Sequence, residues 1–513
     1  MLIIRKSGMP DLDFLIAYAA ANNKPPTTKC TDTIKMLAAT LDAMSHGGIH
    51  DHIAGGFHRY SVDAEWHVPH FEKMLYDQAQ LLGTYADFYR LQKSEEGRRV
   101  IEDVYGYLMR ELRHPEGAFY SAQDADSLPS HDAEKKVEGA FAVWEKEEVR
   151  ALLKDPVFDI FCEYFDVEDD GNVASDPHNE FRNKNVLRRL LTNQECATNF
   201  NLEVAKLLEI IEDAKRILLA ARRQRPAPHL DSKMVCAWQG LAISGMVKAY
   251  QALGDLKYLE AAEKCREFVE KYLQNAESGE LRRSVYLADD GKSIEFGSDT
   301  LAFSDDYAFL IQGLLDLYTV TGNDNVLKNA HRLQNIMDEK FWNGSGYYVS
   351  EENQESGIGV RMVEDQDGAE PCATSIATNN LLRIYDILEV EKFRDNANLC
   401  LRGAAERLNK IPIALPKLAV AHRRWQIGST TFVLVGKSDS ELLETTKKLL
   451  NERLISNLSV VHVQKEDTLS SSGPSHSAML SGPQPAVYIC SGFVCGRPLR
   501  TVEEVLAKFE KDF

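Results

Sequence analysis

His70-Phe71-Glu72-Lys73-Met74-Leu75-Tyr76-Asp77-Gln78-Ala79-Gln80-Leu81-Leu82-Gly83-Thr84-Tyr85-Ala86-Asp87-Phe88-Tyr89-Arg90-Leu91-Gln92 carries the pattern that decides the fold. Apolar side chains at Met74, Leu81, Leu82, Tyr85, Phe88 and Tyr89 recur with the 3.6-residue period of an α-helix, opposite Glu72, Lys73, Asp77, Thr84 and Asp87. The spacing predicts an amphipathic helix. Comparable stripes run through 33–45 (Ile34, Leu37, Leu41, Met44), 97–113 (Val100, Val104, Leu108, Leu112) and 256–273 (Leu259, Ala262, Phe268, Val269). Helices therefore follow one another instead of alternating with long strands.

The stripe repeats in a recognisable form: a small residue is followed ten positions later by Tyr at Ala79/Tyr89, Gly240/Tyr250 and Ala308/Tyr318. A looser copy runs through Thr374, Ala377, Leu381, Leu382 and Tyr385. Between helices recur the Gly-aromatic segments 55–58, 117–120 and 344–348, which fit turns or hairpins at one rim. Paired helices with repeating rim hairpins predict a mainly α protein, an (α/α)6 toroid over 1–415, against the alternative of an open solenoid. Charge and turn signals at 127–200, including Asp176-Pro177-His178-Asn179, predict an insert over one face. Strands at 431–435, 458–463 and 485–490, with helices at 438–453 and 501–511, predict a small α/β unit over 416–513.

A chain of 513 residues with 44% apolar and 27% charged residues is globular and can bury a large core. Its formal net charge of −19 repels phosphate backbones and anionic lipid, so neither nucleic acid nor membrane is an expected partner. The apolar run 14–21 is too short to span a bilayer and reads as a core helix. Nine scattered cysteines without a CxxC pair suit reduced thiols in a cytoplasmic or organelle-matrix protein. The four-residue gap between Cys490 and Cys495 is wrong for a thioredoxin-type motif, and both read as structural thiols.

Six of the fourteen histidines fall between His46 and His70. A metal reading would recruit His50, His52, His58 or His70 with Asp51 or Glu72, but no known ligand motif is present, and neither metal nor cofactor is expected. The other reading makes 47–77 the lining of a cleft at the toroid mouth, where His, Asp, Arg59, Tyr60 and Trp66 meet a hydroxylated ligand. Rim carboxylates from distant segments would join them: Asp124 and Asp126, Asp305 and Asp306, and Asp365, Asp367 and Glu370. Such carboxylates can act as acid and base or simply cap helix N-termini. The candidates for catalysis are Asp77, Asp124, Asp306 and His52. Those for substrate contact are His58, Arg59, Tyr60, Trp66, His70, Tyr76, His229, Asp231, Lys233, Trp238, Tyr307, Asp367 and Glu370.

The runs 47–52, 55–61, 68–78, 119–126, 228–233, 306–309 and 365–371 resemble the spermatogenesis-associated protein 20 family of thioredoxin-domain-containing proteins, and the likeness covers nearly the whole chain. The resemblance implies a thioredoxin-like domain followed by a toroid of the six-hairpin glycosidase type, related in fold to N-acylglucosamine 2-epimerases. No Cys-His-Trp-Cys-like motif occurs here, so the expectation is a member without the thioredoxin part. The family name suggests a role in spermatogenesis. The leading functional expectation is a sugar epimerase, isomerase or hydrolase acting on a small sugar or other polyhydroxylated ligand. The alternative is a non-catalytic scaffold that partners a thioredoxin-like domain. Oligomeric state does not follow from the sequence.

Overall fold

The computed structural model describes residues 8–22, 27–173, 181–288, 290–291, 293–296, 301–352, 360–464, 468–492 and 494–513. The turn expected at 176–179 lies outside them. Among the described residues, eleven helices build a ring: α1 (Met9–Asn22), α2 (Thr28–His46), α3 (Leu75–Leu91), α4 (Glu95–Tyr107), α5 (Cys236–Leu253), α6 (Leu256–Phe268), α7 (Ser304–Thr321), α8 (Asp324–Phe341), α9 (Ala373–Leu388), α10 (Glu391–Gly403) and α11 (Pro416–Ile427). The odd-numbered helices are the inner layer. In sequence α3 packs on α5, α5 on α7, α7 on α9, α9 on α11, α11 on α1 and α1 on α3, which closes the inner ring of an (α/α)6 toroid, with outer partners for five of its six members among the described residues. Each even-numbered helix packs outside the inner helix before it. Because the links between partners are short, each outer helix returns antiparallel and all inner helices start at the same rim.

The repeat has a packing cause. Ala79, Gly240, Ala308 and Ala377 each stand four positions past the first residue of α3, α5, α7 and α9. Small residues along these helices let neighbouring backbones touch: a Cβ on Gly240 would lie 2.5 Å from the Leu310 nitrogen, and one on Gly245 would lie 2.4 Å from the Ala79 carbonyl oxygen. The rim turns close behind the outer helices through the antiparallel bridges His50↔Phe57, Arg113↔Phe119, Gln274↔Leu281 and Trp342↔Tyr347. Three of these contain the Gly-aromatic segments. A short sheet then pairs Met74 with Ala122 and Ala122 with Asp231, tying the strand that leads into α3 to the segments that lead towards α5.

The insert continues past 200. Helices Lys146–Leu152, Val157–Tyr164, Asn193–Asn199 and Val204–Arg222 share a separate core around Trp144, Phe158, Phe161 and Phe165, and Leu207, Ile211 and Leu218 of the last helix complete it. In the C-terminal part a four-stranded sheet runs in the order 458–463, 430–435, 486–491, 494–495, parallel in its first pair and antiparallel in the others.

Two expectations are corrected. The helix at 416–427, read with the C-terminal unit, is α11 and the sixth inner member of the ring; without it α9 and α1 would have no shared neighbour to close against. Cys490 and Cys495 are joined as a disulfide, because the hairpin places them opposite each other in register, a relation that spacing along the chain does not reveal. The other seven cysteines are free and buried.

Candidate site at the mouth of the ring

The rim where the inner helices begin gathers side chains from four segments. Tyr76 and Asp77 occupy the first turn of α3, Trp238 that of α5, Asp305 and Asp306 that of α7, and Glu370 lies in the segment just before α9. The Tyr76 and Trp238 rings lie 5.2 Å apart between centroids, and the Trp238 indole N–H donates to Glu370 Oε1 at 2.6 Å. Arg59 donates to Glu72 Oε2 at 2.9 Å and to the Tyr76 hydroxyl. Arg283 pairs with both oxygens of Asp305, at 2.8 and 2.7 Å.

Asp77 differs from its neighbours. It is only 8% exposed, and its Oδ2 has no hydrogen-bond partner among the described residues. Burial pushes its carboxyl well above the ordinary range; Glu370 and Glu72 push the same way, and Arg59 opposes them. Burial, with the charge of Asp305, also raises the Glu370 carboxyl to about 7, while Trp238 and Arg283 act against the rise. One turn along α3, the Gln80 amide nitrogen donates to the carbonyls of Tyr76 and Ala369, leaving its buried Oε1 unpartnered. The mouth thus holds a carboxyl that titrates near neutrality, a second carboxyl short of donors, and an aromatic pair. These are the components of acid–base chemistry on a hydroxylated molecule.

Below the mouth the ring encloses a cavity of about 240 Å³ touched by all six inner helices. Its charges are paired: Lys248 with Asp87 at 2.7 Å, Arg383 with Asp316 at 2.7 Å, and Lys417 with Asp13. At its far end Arg90 donates to the carbonyls of Leu450, Asn451 and Arg453, which cap the helix Glu441–Glu452, and residues 454–458 line the floor. The C-terminal part therefore stoppers one end of the ring.

The remaining sequence candidates are placed elsewhere or tied up. Asp306 is fully buried and accepts from the backbone N–H groups of Ala237 and Phe303, both at 2.8 Å, so it staples the starts of α5 and α7 together. Asp367 does the same for α9 and α11, accepting from Cys372 at 3.0 Å and Lys417 at 2.9 Å. The Tyr307 hydroxyl accepts from the Leu281 N–H, and its ring faces Phe341 of outer helix α8. His52 points inward to the Gly47 carbonyl, 3.0 Å away, beside Phe165 of the insert; burial holds its imidazole well below the ordinary range. His58 contacts the Phe71 carbonyl at 2.9 Å and is pushed down to about 3 by burial and by Lys73. Next to it Asp51 is held by Lys73 at 2.7 Å and Arg222 at 2.8 Å, a buried triad joining the insert to the ring. His70 bonds Glu138 of the insert at 2.6 Å and stacks on Tyr60. Trp66 sits with its backbone carbonyl against Gly47. Asp124 pairs with Lys136, Asp231 pairs with Lys233, and His229 is exposed. Of the stretch 47–77, Arg59, Glu72, Tyr76 and Asp77 join the mouth cluster, His70 touches its edge at Glu72, 3.7 Å away, and His52 and His58 turn towards the insert. Among the described residues no group of three or more His, Cys, Asp or Glu side chains is placed to hold a metal.

Sequence reasoning passed over Gln80 and Arg283. Gln80 follows Tyr76 by four and Asp77 by three, so helical geometry alone puts it on their face. Arg283 had no comparable signal, since only the fold carries the segment before the strand Ser284–Leu287 to Asp305.

A closed (α/α)6 toroid with an acidic and aromatic mouth defines the class of this protein. The chain belongs to the spermatogenesis-associated protein 20 family. It is 60% identical over 511 residues to an uncharacterised Caenorhabditis elegans protein, covering 98% of the chain and 69% of that relative. It is 34% identical over 504 residues to human spermatogenesis-associated protein 20, covering 95% and 64%, and 36% identical over 420 residues to the mouse protein of that name, covering 79% and 53%. The chain thus spans between about half and about two thirds of the length of these relatives. It matches no family model. Among solved structures it is similar to the family 76 α-mannanase of Bacteroides thetaiotaomicron, at 12% identity and a TM-score of 0.42, covering 77% of this chain and 74% of that one. It is also similar to the cellobiose 2-epimerase of Spirochaeta thermophila, at 11% identity and a TM-score of 0.37, covering 73% and 86%. These likenesses carry no argument about chemistry, and the ring stands on its own helix packing. No helix among the described residues is long and apolar enough to cross a membrane.

Proposed function

We propose that the mouth binds a small sugar or similar polyhydroxylated molecule and performs acid–base chemistry on it, as an epimerase, isomerase or hydrolase would. Asp77 and Glu370 are the proton-handling groups, and Tyr76 and Trp238 the platform for the ring of the sugar. The observation that carries this reading is Asp77 Oδ2, a buried acceptor with no protein partner. Other buried polar atoms among the described residues also lack a partner, Gln334 Oε1 and Asn380 Oδ1 among them, but Asp77 is the one carboxyl in that condition, whereas Asp51, Asp306 and Asp367 have their oxygens bonded. The scaffold reading draws support from the paired charges along the axis, but these lie below the mouth and leave Asp77 unexplained. The relatives' name connects them with spermatogenesis; a germline role for this chain rests on that name alone.

The test is a thermal-shift and calorimetric screen of neutral and charged sugars against the full chain, repeated with Asp77→Asn. The reading predicts at least one ligand whose binding the substitution removes. Absence of any ligand across the screen would refute it.

A further inference from the structure

The polar balance of the mouth is one-sided. Both arginines are spent on protein partners: Arg59 on Glu72 and Tyr76, and Arg283 on Asp305 and, at 3.0 Å, on Asp306. The Trp238 N–H is spent on Glu370, and the Gln80 amide nitrogen on two carbonyls. Two buried acceptors stay open, Asp77 Oδ2 and Gln80 Oε1, beside the Tyr76 hydroxyl, which accepts from Arg59. Among the described residues neither Asp77 nor Glu370 has a cation within ion-pair distance. A ligand that brings donors would satisfy these acceptors, and one that also carries positive charge would favour the ionised forms of the buried Asp77 and half-buried Glu370 carboxyls. The Tyr76 and Trp238 faces add to that preference, since the negative face of an aromatic ring attracts a cation.

We propose that the mouth selects a polyol carrying an ammonium group, an amino sugar or amino alditol in its protonated form, with the ammonium against Asp77 and Glu370 and the hydroxyls donating to Gln80 and its surroundings. This rests on the reading of the mouth as a polyol site. It excludes sugar phosphates and uronic acids, whose anions would face the same carboxylates. A bare divalent cation is the competing occupant, and among the described residues no three-ligand cluster stands there for it.

The experiment is isothermal titration calorimetry of the full chain near neutral pH with 1-amino-1-deoxysorbitol and sorbitol, which differ only in one terminal group, and in parallel with glucosamine and glucose. The expected result is at least about tenfold tighter binding of each amine than of its neutral counterpart, the difference that about 1.4 kcal/mol produces. Asp77→Asn should bring the ratio to about one while the melting temperature is kept; if that variant fails to fold, Glu370→Gln serves the same purpose. Equal or tighter binding of the neutral compounds would overturn the charge selection and leave the polyol reading standing. No binding by any of the four would overturn both. Stoichiometric calcium binding lost in Asp77→Asn, with no response to the amines, would overturn the proposal in favour of a metal.

Discussion

Glu370→Gln is expected to make the protein more stable above neutral pH while weakening whatever the mouth binds. The Glu370 carboxyl titrates at about 7 in the folded protein against an ordinary value of 4.5. Between those limits the folded chain holds a proton that the unfolded chain has released, so stability falls as pH rises through that window and levels off above about 7. At about 1.4 kcal/mol per unit, the 4.5-to-7 displacement corresponds to about 3 kcal/mol of lost stability at pH 8. Gln keeps the acceptor for the Trp238 N–H and has no charge to desolvate, so the variant should escape the loss. Urea unfolding of both forms from about pH 4 to pH 8 reads the effect: the two midpoints should coincide at the acid end and separate progressively, the variant lying higher. Parallel curves, or a variant weaker at every pH, would refute the argument that burial and the charge of Asp305 hold this carboxyl up. A separation with the opposite sign would mean that Glu370 is ionised and paired in the folded protein.

Arg222→Met should destabilise the chain by about 3–5 kcal/mol, because it strands the buried Asp51 with Lys73 as its only cation, and chemical denaturation of the variant checks it. Asp306→Ala should cost about 2–5 kcal/mol, since two backbone N–H groups lose their acceptor; a variant of unchanged melting temperature would contradict the stapling role. Trp238→Phe should keep the fold, as circular dichroism would show, yet release Glu370 from its 2.6 Å hydrogen bond and weaken sugar binding about tenfold or more in calorimetry.

The carboxylates near the starts of the inner helices differ in how their oxygens are engaged. Asp306 and Asp367 are each bonded to backbone N–H groups at two inner-helix starts, and Asp51 is locked by two cations. Substituting these would report on stability. Burial also pushes up the carboxyls of Asp306, to about 8, and of Asp367, so a raised carboxyl does not by itself mark the mouth; what sets Asp77 apart among the described residues is a buried carboxyl oxygen without a partner.

The ring itself was legible along the chain. Helical stripes, the small residue four positions into α3, α5, α7 and α9 and the Gly-aromatic rim segments are local signals, and local signals survive without knowledge of the partner. The strands of the C-terminal sheet were legible for the same reason. What the sequence could not settle was which polar residues meet. His52, His58 and Asp77 stand in one dense run, yet the first two turn towards the insert, whose core is completed by Leu207 and Leu218 far along the chain, and Asp77 lies beside Tyr76, whose ring meets Trp238, and within reach of the charge of Glu370. The same holds for Cys490 and Cys495, opposed by a hairpin register, and for α11, assigned to the ring only by its contacts. Periodicity determines which face of a helix is apolar, but the protonation and pairing of a carboxyl depend on charges and donors within a few ångströms, and those arrive from segments that only the closed toroid brings together.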